Sequence, residues 1–349
     1  MPASRKSKEA RERLARQALV LADRDAPKEA WAEAVHDFYQ LLLELTSLEV
    51  DASSGGRSLR LGAGVAIAPA DAARCVIDPV RTARCLQGLT DAVREAARRF
   101  GPPVEVVYAG CGPFAPFCFL PATLLGPDLA RFTLLEVHPG SRAAVGRALE
   151  ALGMEASVRA LLEADATTYQ HDGPLHVVVS EALERALGRE PQVAIALNLA
   201  PQLAPGGILV PERIRIEACL AHAAAEVSQT ARGSSKRHVL GTVFDLTLDS
   251  ARRFAEQGFE EVTLCVPAVE PGGPADLMLG TTITFFGAAQ LHEFESGITF
   301  PSFRFDLGRL SASGFLDARY VIGPNPGFAL KSRPIAAPPT APSVRSEGR

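Results

Sequence analysis

The run Val104-Glu105-Val106-Val107-Tyr108-Ala109, followed at once by Gly110-Cys111-Gly112, constrains this chain more than any other stretch. A valine-rich segment of strand length that empties into Gly-x-Gly predicts a buried strand of an α/β sheet. The turn after it would bring bare backbone close to a nucleotide-like ligand, because glycine has no Cβ to collide with it. Alone, the pattern fits an ordinary strand-to-helix turn equally well.

Four further apolar runs follow at the spacing of a βα alternation. Residues 117–126 predict a helix interrupted by Pro121, and Arg131 to His138 a second strand that ends in an acid, Glu136, 26 positions after Gly110. An acid at the end of the second strand of a doubly wound sheet can accept hydrogen bonds from two neighbouring ribose hydroxyls. A helix over 140–153 and a short strand from Val158 to Leu162 lead to the acidic turn Glu163-Ala164-Asp165-Ala166, which would border the same crevice. The fourth strand, Leu175 to Ser180, runs into Glu181; a helix over 192–203 and the turn Ala204-Pro205-Gly206-Gly207 precede a fifth strand ending at Pro211. Five such units predict a Rossmann-like, doubly wound, mostly parallel sheet with helices on both faces.

Upstream, residues 4–23 and Pro27 to Leu48 read as helices, the second amphipathic through Trp31, Val35, Phe38, Leu42 and Leu45. Asp51 to Arg57 reads as a loop and 58–68 as a strand or irregular approach. A helix from Asp78 to Arg98 opens Asp78-Pro79-Val80-Arg81-Thr82, where Asp before Pro makes a good cap. Arg81 lies one turn in, near the positive end of the helix dipole, so a nearby anion would explain it better than the dipole does; a surface salt bridge is the alternative. Beyond Pro211, short apolar runs at 213–220, 240–248, 261–268, 279–286 and 315–322 alternate with Gly and Pro clusters, which predicts an antiparallel sandwich or barrel. A helix is expected within 222–237, and the Pro-, Ala- and Ser-rich tail from Arg333 to Arg349 is expected to be disordered.

With 349 residues, 47% of them hydrophobic and 22% charged, the chain suits two domains of a globular protein. A net charge of −4 without a basic stripe disfavours a nucleic-acid partner. The six cysteines form no CxxC pair, no metal-ligand spacing is seen, and no apolar run of 18 residues or secretory segment is present. Reduced thiols, a cytoplasmic location and no membrane span are therefore expected.

Gly110-Cys111-Gly112, Glu136, Ser180-Glu181, Pro205-Gly206-Gly207-Ile208-Leu209-Val210-Pro211 and the Asp78-to-Thr82 segment together resemble a class I S-adenosylmethionine (SAM) dependent methyltransferase, of the protein arginine methyltransferase branch, from about residue 75 to 330. The resemblance implies SAM as cofactor. Arg81 would pair with its carboxylate, Gly110 and Gly112 would pass its methionine and ribose part, Glu136 would bind the ribose hydroxyls, and Asp165 with Ala166 would border the adenine. Glu181 and Glu190, nine positions apart, match the branch's double-glutamate loop, whose acids clamp a substrate guanidinium. The domains implied are an N-terminal helical segment and cofactor lid (1–100), a SAM-binding unit (101–211), a β-sandwich or barrel substrate domain (212–332) and a tail (333–349). A small-molecule or peptide substrate and a homodimer are further expectations.

The chain departs from the branch in lacking its Thr-His-Trp loop, in carrying no aromatic or Met residues between Glu181 and Glu190, and in having Tyr108 and Phe114 where an acid and a third glycine are usual. Methyl transfer to a nitrogen, a guanidine among the candidates, is the leading reading, since two acids are odd neighbours for an anionic acceptor. Aminocarboxypropyl transfer stays open because Gly112-Pro113-Phe114-Ala115-Pro116 resembles the turn of nicotianamine synthase-like enzymes, as do O-methyl transfer and an inactive SAM-binding scaffold. Glu190 is either a site acid or a helix-start charge before Pro191.

Overall fold

The computed structural model describes residues 5–49, 56–228 and 236–334. Helices α1 (Arg5–Ala22) and α2 (Lys28–Thr46) pack against each other and send Leu14, Leu21, Trp31, Phe38 and Leu42 into the main core. The segment expected as a strand or irregular approach is a hairpin of β1 (Leu59–Leu61) and β2 (Gly64–Ala66), followed by α3 (Pro69–Cys75), a short helix the sequence reading did not foresee.

The longest helix, α4 (Pro79–Phe100), is buried along most of its length and touches both halves of the molecule. It approaches the second domain so closely that a Cβ on Gly88 would lie 2.6 Å from that of Phe285. Asp78 is its N-cap. One carboxylate oxygen accepts from the backbone N–H of Arg81 (3.1 Å), and the other accepts from Ser296 Oγ (2.6 Å) and the N–H of Gly297 (3.1 Å), so the helix start is tied to a segment more than 200 residues away.

The central sheet is parallel, from β3 (Val104–Ala109), β4 (Ala130–Glu136), β5 (Val158–Glu163), β6 (Val177–Ser180) and β7 (Ile208–Val210), in the order β5-β4-β3-β6-β7. Helices α5 (Pro116–Leu125), α6 (Pro139–Leu152) and α7 (Gln192–Leu199) make the crossovers. The chain winds outward from β3 through β4 to β5 and then returns to the other side of β3. The crevice beyond the carboxyl ends of β3 and β6 is thus the topological switch point, where sheets of this kind bind ligands.

The second domain is antiparallel. Strands β8 (Arg213–Ala221), β9 (His238–Thr247), β11 (Asp276–Phe286) and β12 (Ala289–Leu291) form a sheet in the order β12-β11-β8-β9, with β13 (Ser302–Phe303) also on β11; β10 (Val262–Val266), β14 (Gly314–Val321) and β15 (Gly327–Pro334) form another. Among the described residues these sheets stay open, so the domain is no closed barrel. Phe244, Phe254, Phe259, Tyr320 and Phe328 pack ring against ring between β9, β14, β15 and α9 (Leu248–Gln257), with Phe244 and Tyr320 stacked at 5.1 Å. Aromatic stacking of this kind adds to plain area burial.

The helix foreseen within 222–237 is present as the short α8 (Ala223–Val227), and 229–235 lie outside the described residues. Other expectations are corrected. Arg333 and Pro334, assigned to the disordered tail, end β15, while 335–349 lie outside the described residues, as do 51–55 of the expected loop. Helix α9 was missed because its capping box uses Ser250 where Glu or Gln is usual.

Replacing Asp78 by Ala removes a cap and the tie to Ser296. The variant should lose about 2 kcal/mol of stability, read as a lower chemical-unfolding midpoint; an unchanged midpoint would refute this role.

Candidate active site

A pocket enclosing about 910 Å³ with its open mouth counted lies at the switch point. Its floor is the carboxyl ends of β3, β4 and β6, and residues of β1, β2 and α3 also line it. Arg81, Gly110, Gly112, Glu136, Asp165, Ala166, Glu181 and Glu190 all line this pocket, so eight residues chosen from five separate stretches of sequence come together.

The glycine turn is held from beneath. The N–H groups of Gly110 and Cys111 both donate to the carbonyl of Leu135 on the neighbouring strand, at 3.0 and 3.1 Å. Both glycines adopt positive φ (70° and 61°), which a side chain would strain. Glu136 closes the turn: Oε2 accepts the N–H of Gly112 and Oε1 that of His138, each at 2.8 Å. Burial pushes the Glu136 carboxyl up, and these two backbone donors pull the other way. Phe114, where a third glycine is usual, is buried edge-on against Tyr39 (5.5 Å) and anchors the turn to α2. Burial, reinforced by the Glu181 carboxylate, pushes the Tyr108 phenol well up, so it stays a neutral hydroxyl in the pocket wall.

On the far side of β4, Asp165 Oδ1 accepts from the N–H (2.8 Å) and the hydroxyl (2.7 Å) of Thr167, which folds the loop after β5 into a turn. That loop is fixed by two residues the sequence reading missed. Asn198 Nδ2 donates to the carbonyls of Ala166 (3.0 Å) and Tyr169 (2.8 Å), and Gln202 Nε2 to that of Tyr169 (2.9 Å). Nothing in their spacing marks them, since isolated polar residues at a helix end are commonplace.

The other end of the pocket is charged. Arg81 Nε donates to Glu181 Oε1, and the two side chains are only 9% and 8% exposed. The anion that Arg81's place in the helix calls for is thus supplied by the end of β6, as a buried pair and not a surface one. Burial works against the charge on Arg81, but Glu181, Cys75 and Glu190 outweigh it and the guanidinium is held up, firmly protonated. Burial raises the Glu181 carboxyl, with Arg81 opposing.

Between the two acids the chain makes a contorted loop. Ala186, Leu187 and Arg189 all have left-handed φ (48°, 55° and 58°), a conformation that non-glycine residues adopt only when their surroundings impose it. The surroundings are visible. Tyr320 Oη donates to the carbonyl of Leu187 (2.7 Å), the N–H of Ala186 donates to Thr281 Oγ1 (3.3 Å), and the N–H of Arg189 to the carbonyl of Pro326 (3.2 Å). From the other side, the N–H of Val65 in β2 donates to the carbonyl of Arg189 (2.9 Å), and a Cβ on Gly64 would sit 2.9 Å from that same oxygen. The loop returns Glu190 to the pocket ahead of α7, whose N-cap is Pro191. Burial pushes the Glu190 carboxyl up to about 7, with Arg81 opposing and Glu181 adding to the rise.

No protein-family model and no curated protein matches the sequence. Solved structures do match: a chain of the Trypanosoma brucei PRMT1 enzyme-prozyme heterotetrameric complex with AdoHcy aligns with a TM-score of 0.50 over 76% of this chain and 93% of that one, at 12% identity. The chain has a protein arginine methyltransferase-like fold. Arabidopsis thaliana protein arginine methyltransferase 10, solved in a uniquely open conformation, aligns over 71% of this chain and 86% of its own with a TM-score of 0.49 and 11% identity.

The buried pair makes a double-substitution test direct. Glu181→Ala leaves a guanidinium without its buried partner and should destabilise by about 3–5 kcal/mol, whereas Arg81→Met combined with Glu181→Leu should recover most of that loss. Equal unfolding midpoints for the Glu181→Ala and wild-type chains would show that the pair is not formed in solution.

Proposed function

We propose that the chain is a SAM-dependent methyltransferase that methylates a nitrogen, a guanidine nitrogen included, of a small molecule or peptide. The observation that carries this reading is the convergence, in one switch-point pocket, of the glycine turn with Glu136 at one end and the Arg81, Glu181 and Glu190 group at the other.

The residues present suit the cofactor. Gly110 adds no Cβ to the pocket edge, and one built there would project into open space. Each Glu136 oxygen holds one backbone N–H and retains acceptor capacity for a ribose hydroxyl. Arg81 uses Nε for Glu181, which leaves its terminal nitrogens to take the amino-acid carboxylate. Asp165 and Ala166 border the part of the pocket beyond Glu136, where an adenine would lie. Bound SAM would supply a methyl group made electrophilic by the attached sulfonium.

The protein's contribution is to place and deprotonate the acceptor. Among the described residues Glu181 Oε2 has no hydrogen-bond partner, so it is available to orient an acceptor N–H, and residues of β1 and β2 wall the pocket. Glu190 is the base. A carboxylate with a pKa near 7 can accept a proton from an attacking nitrogen at neutral pH, a better match than an ordinary glutamate offers.

Calorimetry should show AdoHcy binding to the purified chain, and mass spectrometry of the acceptor should show the gain of one or more methyl groups. Release of methylthioadenosine in place of methyl gain would instead establish aminocarboxypropyl transfer. Activity should rise with pH through about 7, as Glu190 loses its proton. Glu190→Gln should lower kcat by roughly 10² or more and abolish that rise; a wild-type pH profile in the variant would remove Glu190 from the reaction.

A further inference from the structure

The antiparallel domain holds a second cleft, of about 860 Å³ with its open mouth counted, that shares no lining residue with the pocket at the switch point. It occupies the gap left where the two antiparallel sheets stay open. On one side stand β11 and the edge strand β13, through Leu279 and Ser302; on the other stands the edge strand β15, through Phe328 and Ala329. Arg304 spans the gap. Its Nε and Nη2 donate to the Asp306 carboxylate, each at 2.9 Å, and its Nη1 to the carbonyl of Phe328 at 3.2 Å, which ties the segment after β13 to β15. A further wall is the loop between the two acids, through Arg185, Ala186 and Gly188.

Arg185 carries the uncompensated charge of this cleft. No acidic residue lines it, and Asp306 already pairs with Arg304. Among the described residues the Arg185 guanidinium has neither an acid within ion-pair distance nor a hydrogen bond; it lies over the ring of Phe300, 5.5 Å from the centroid. A ring beneath a guanidinium holds it in place and leaves the N–H donors along its edge free. Asn325, which also lines the cleft, and Ser302 likewise carry side chains without a hydrogen bond among the described residues. Between these polar groups the walls are apolar, from Leu279, Pro326, Phe328 and Val321, the last 45% exposed.

The chemistry of a ligand follows from charge and shape. A guanidinium with a free edge pairs a carboxylate through two parallel hydrogen bonds. One uncompensated cation balances one negative charge, whereas a phosphate dianion would hold a second charge among neutral and apolar groups. Apolar walls and a volume typical of small-molecule sites suit an organic body better than a bare ion. We infer that the cleft binds a small organic monocarboxylate, its anionic end on Arg185 and its apolar body between β11 and β15. The inference is independent of the cofactor reading above. Its ligand would rest against the loop that carries Glu190, because Ala186 and Gly188 form one wall and the carbonyl of Pro326, in another wall, accepts the N–H of Arg189.

The test titrates the full chain with acetate, phenylacetate and 4-phenylbutyrate, and with phenylacetamide as the uncharged control, by ligand-observed NMR. Saturable binding of the aryl carboxylates is expected, tighter than that of acetate or phenylacetamide. Arg185→Gln should weaken it roughly 10-fold or more, the worth of hydrogen bonds to a charged group. Arg185→Lys should restore part of the loss, since an ammonium keeps the charge but not the two-pronged geometry. Val321→Glu, at an exposed wall position outside the loop, should weaken binding through like-charge repulsion and leave the unfolding midpoint unchanged. Absence of saturable binding of all three carboxylates, or wild-type affinity in both Arg185→Gln and Val321→Glu, would overturn the inference. Equal affinity for phenylacetate and phenylacetamide would overturn it as well, because the cleft would then select the ring and not the charge.

Discussion

The buried pair of Arg81 and Glu181 is the interaction on which the site depends. Removing two charges from water costs several kcal/mol per ion, which their mutual attraction offsets only when both are held in good geometry. The fold holds both. Arg81 sits in the first turn of α4, fixed by the Asp78 cap that is itself bonded to Ser296 and Gly297 of the second domain. Glu181 emerges from the end of β6, whose Ser180 hydroxyl donates to Gln192 Oε1 at the start of α7. The pair therefore bridges an N-terminal helix and the central sheet, and its geometry requires α4 to be clamped at both sides.

A second constraint runs through the loop between the acids. Backbone in the left-handed region costs on the order of 1 kcal/mol or more for each non-glycine residue, and three such residues occur within four positions. Contacts to Tyr320, Thr281 and Pro326 and, from the opposite side, to Val65 hold that conformation. The antiparallel domain and the small N-terminal hairpin thus act on the site together, the first from outside the pocket and the second from its wall. They set the path of the chain that returns Glu190 to the pocket. The aromatic cluster around Phe244 and Tyr320 has the same effect at one remove, because it fixes the ring whose hydroxyl reaches Leu187.

Much of this was legible in the sequence, for a physical reason. Strands of a parallel sheet are covered on both faces, so β3, β4 and β6 read as continuous apolar runs, and the residues just past their ends are the ones a switch point exposes to ligand. Gly110, Glu136 and Glu181 follow from that rule. The partners of those residues were not legible. Arg81 and Glu181 are 100 positions apart, and the sequence offers Arg81 a cofactor carboxylate or a surface salt bridge, not a buried acid of its own chain. Phe114 read as a departure from a glycine pattern, yet it is the ring that seats the turn against α2. Helix α3 is short, with too few apolar positions to show a period, α9 opens on a capping box that lacks the usual Glu or Gln, and Asn198 and Gln202 act through side-chain bonds to a loop whose shape no local pattern encodes. Sheet closure was equally invisible, because alternating strands serve an open sandwich and a barrel alike.

The charge balance at the acceptor end bears on what the pocket can receive. Arg81 is held protonated and offsets one carboxylate, Glu181; Glu190 is the remaining acid, and near neutral pH it is divided between its two forms. A cationic nitrogen entering the pocket favours the ionised form of Glu190, so its binding draws the carboxyl pKa down and expels the proton that the free protein held. An anionic group has the opposite effect: it meets Glu181 and drives Glu190 further toward the neutral acid. On the function proposed above, the same residue would discriminate by charge and be readied as a proton acceptor by the ligand it selects, and both properties would come from one cause, a carboxyl group buried beside a cation that another carboxylate has already claimed.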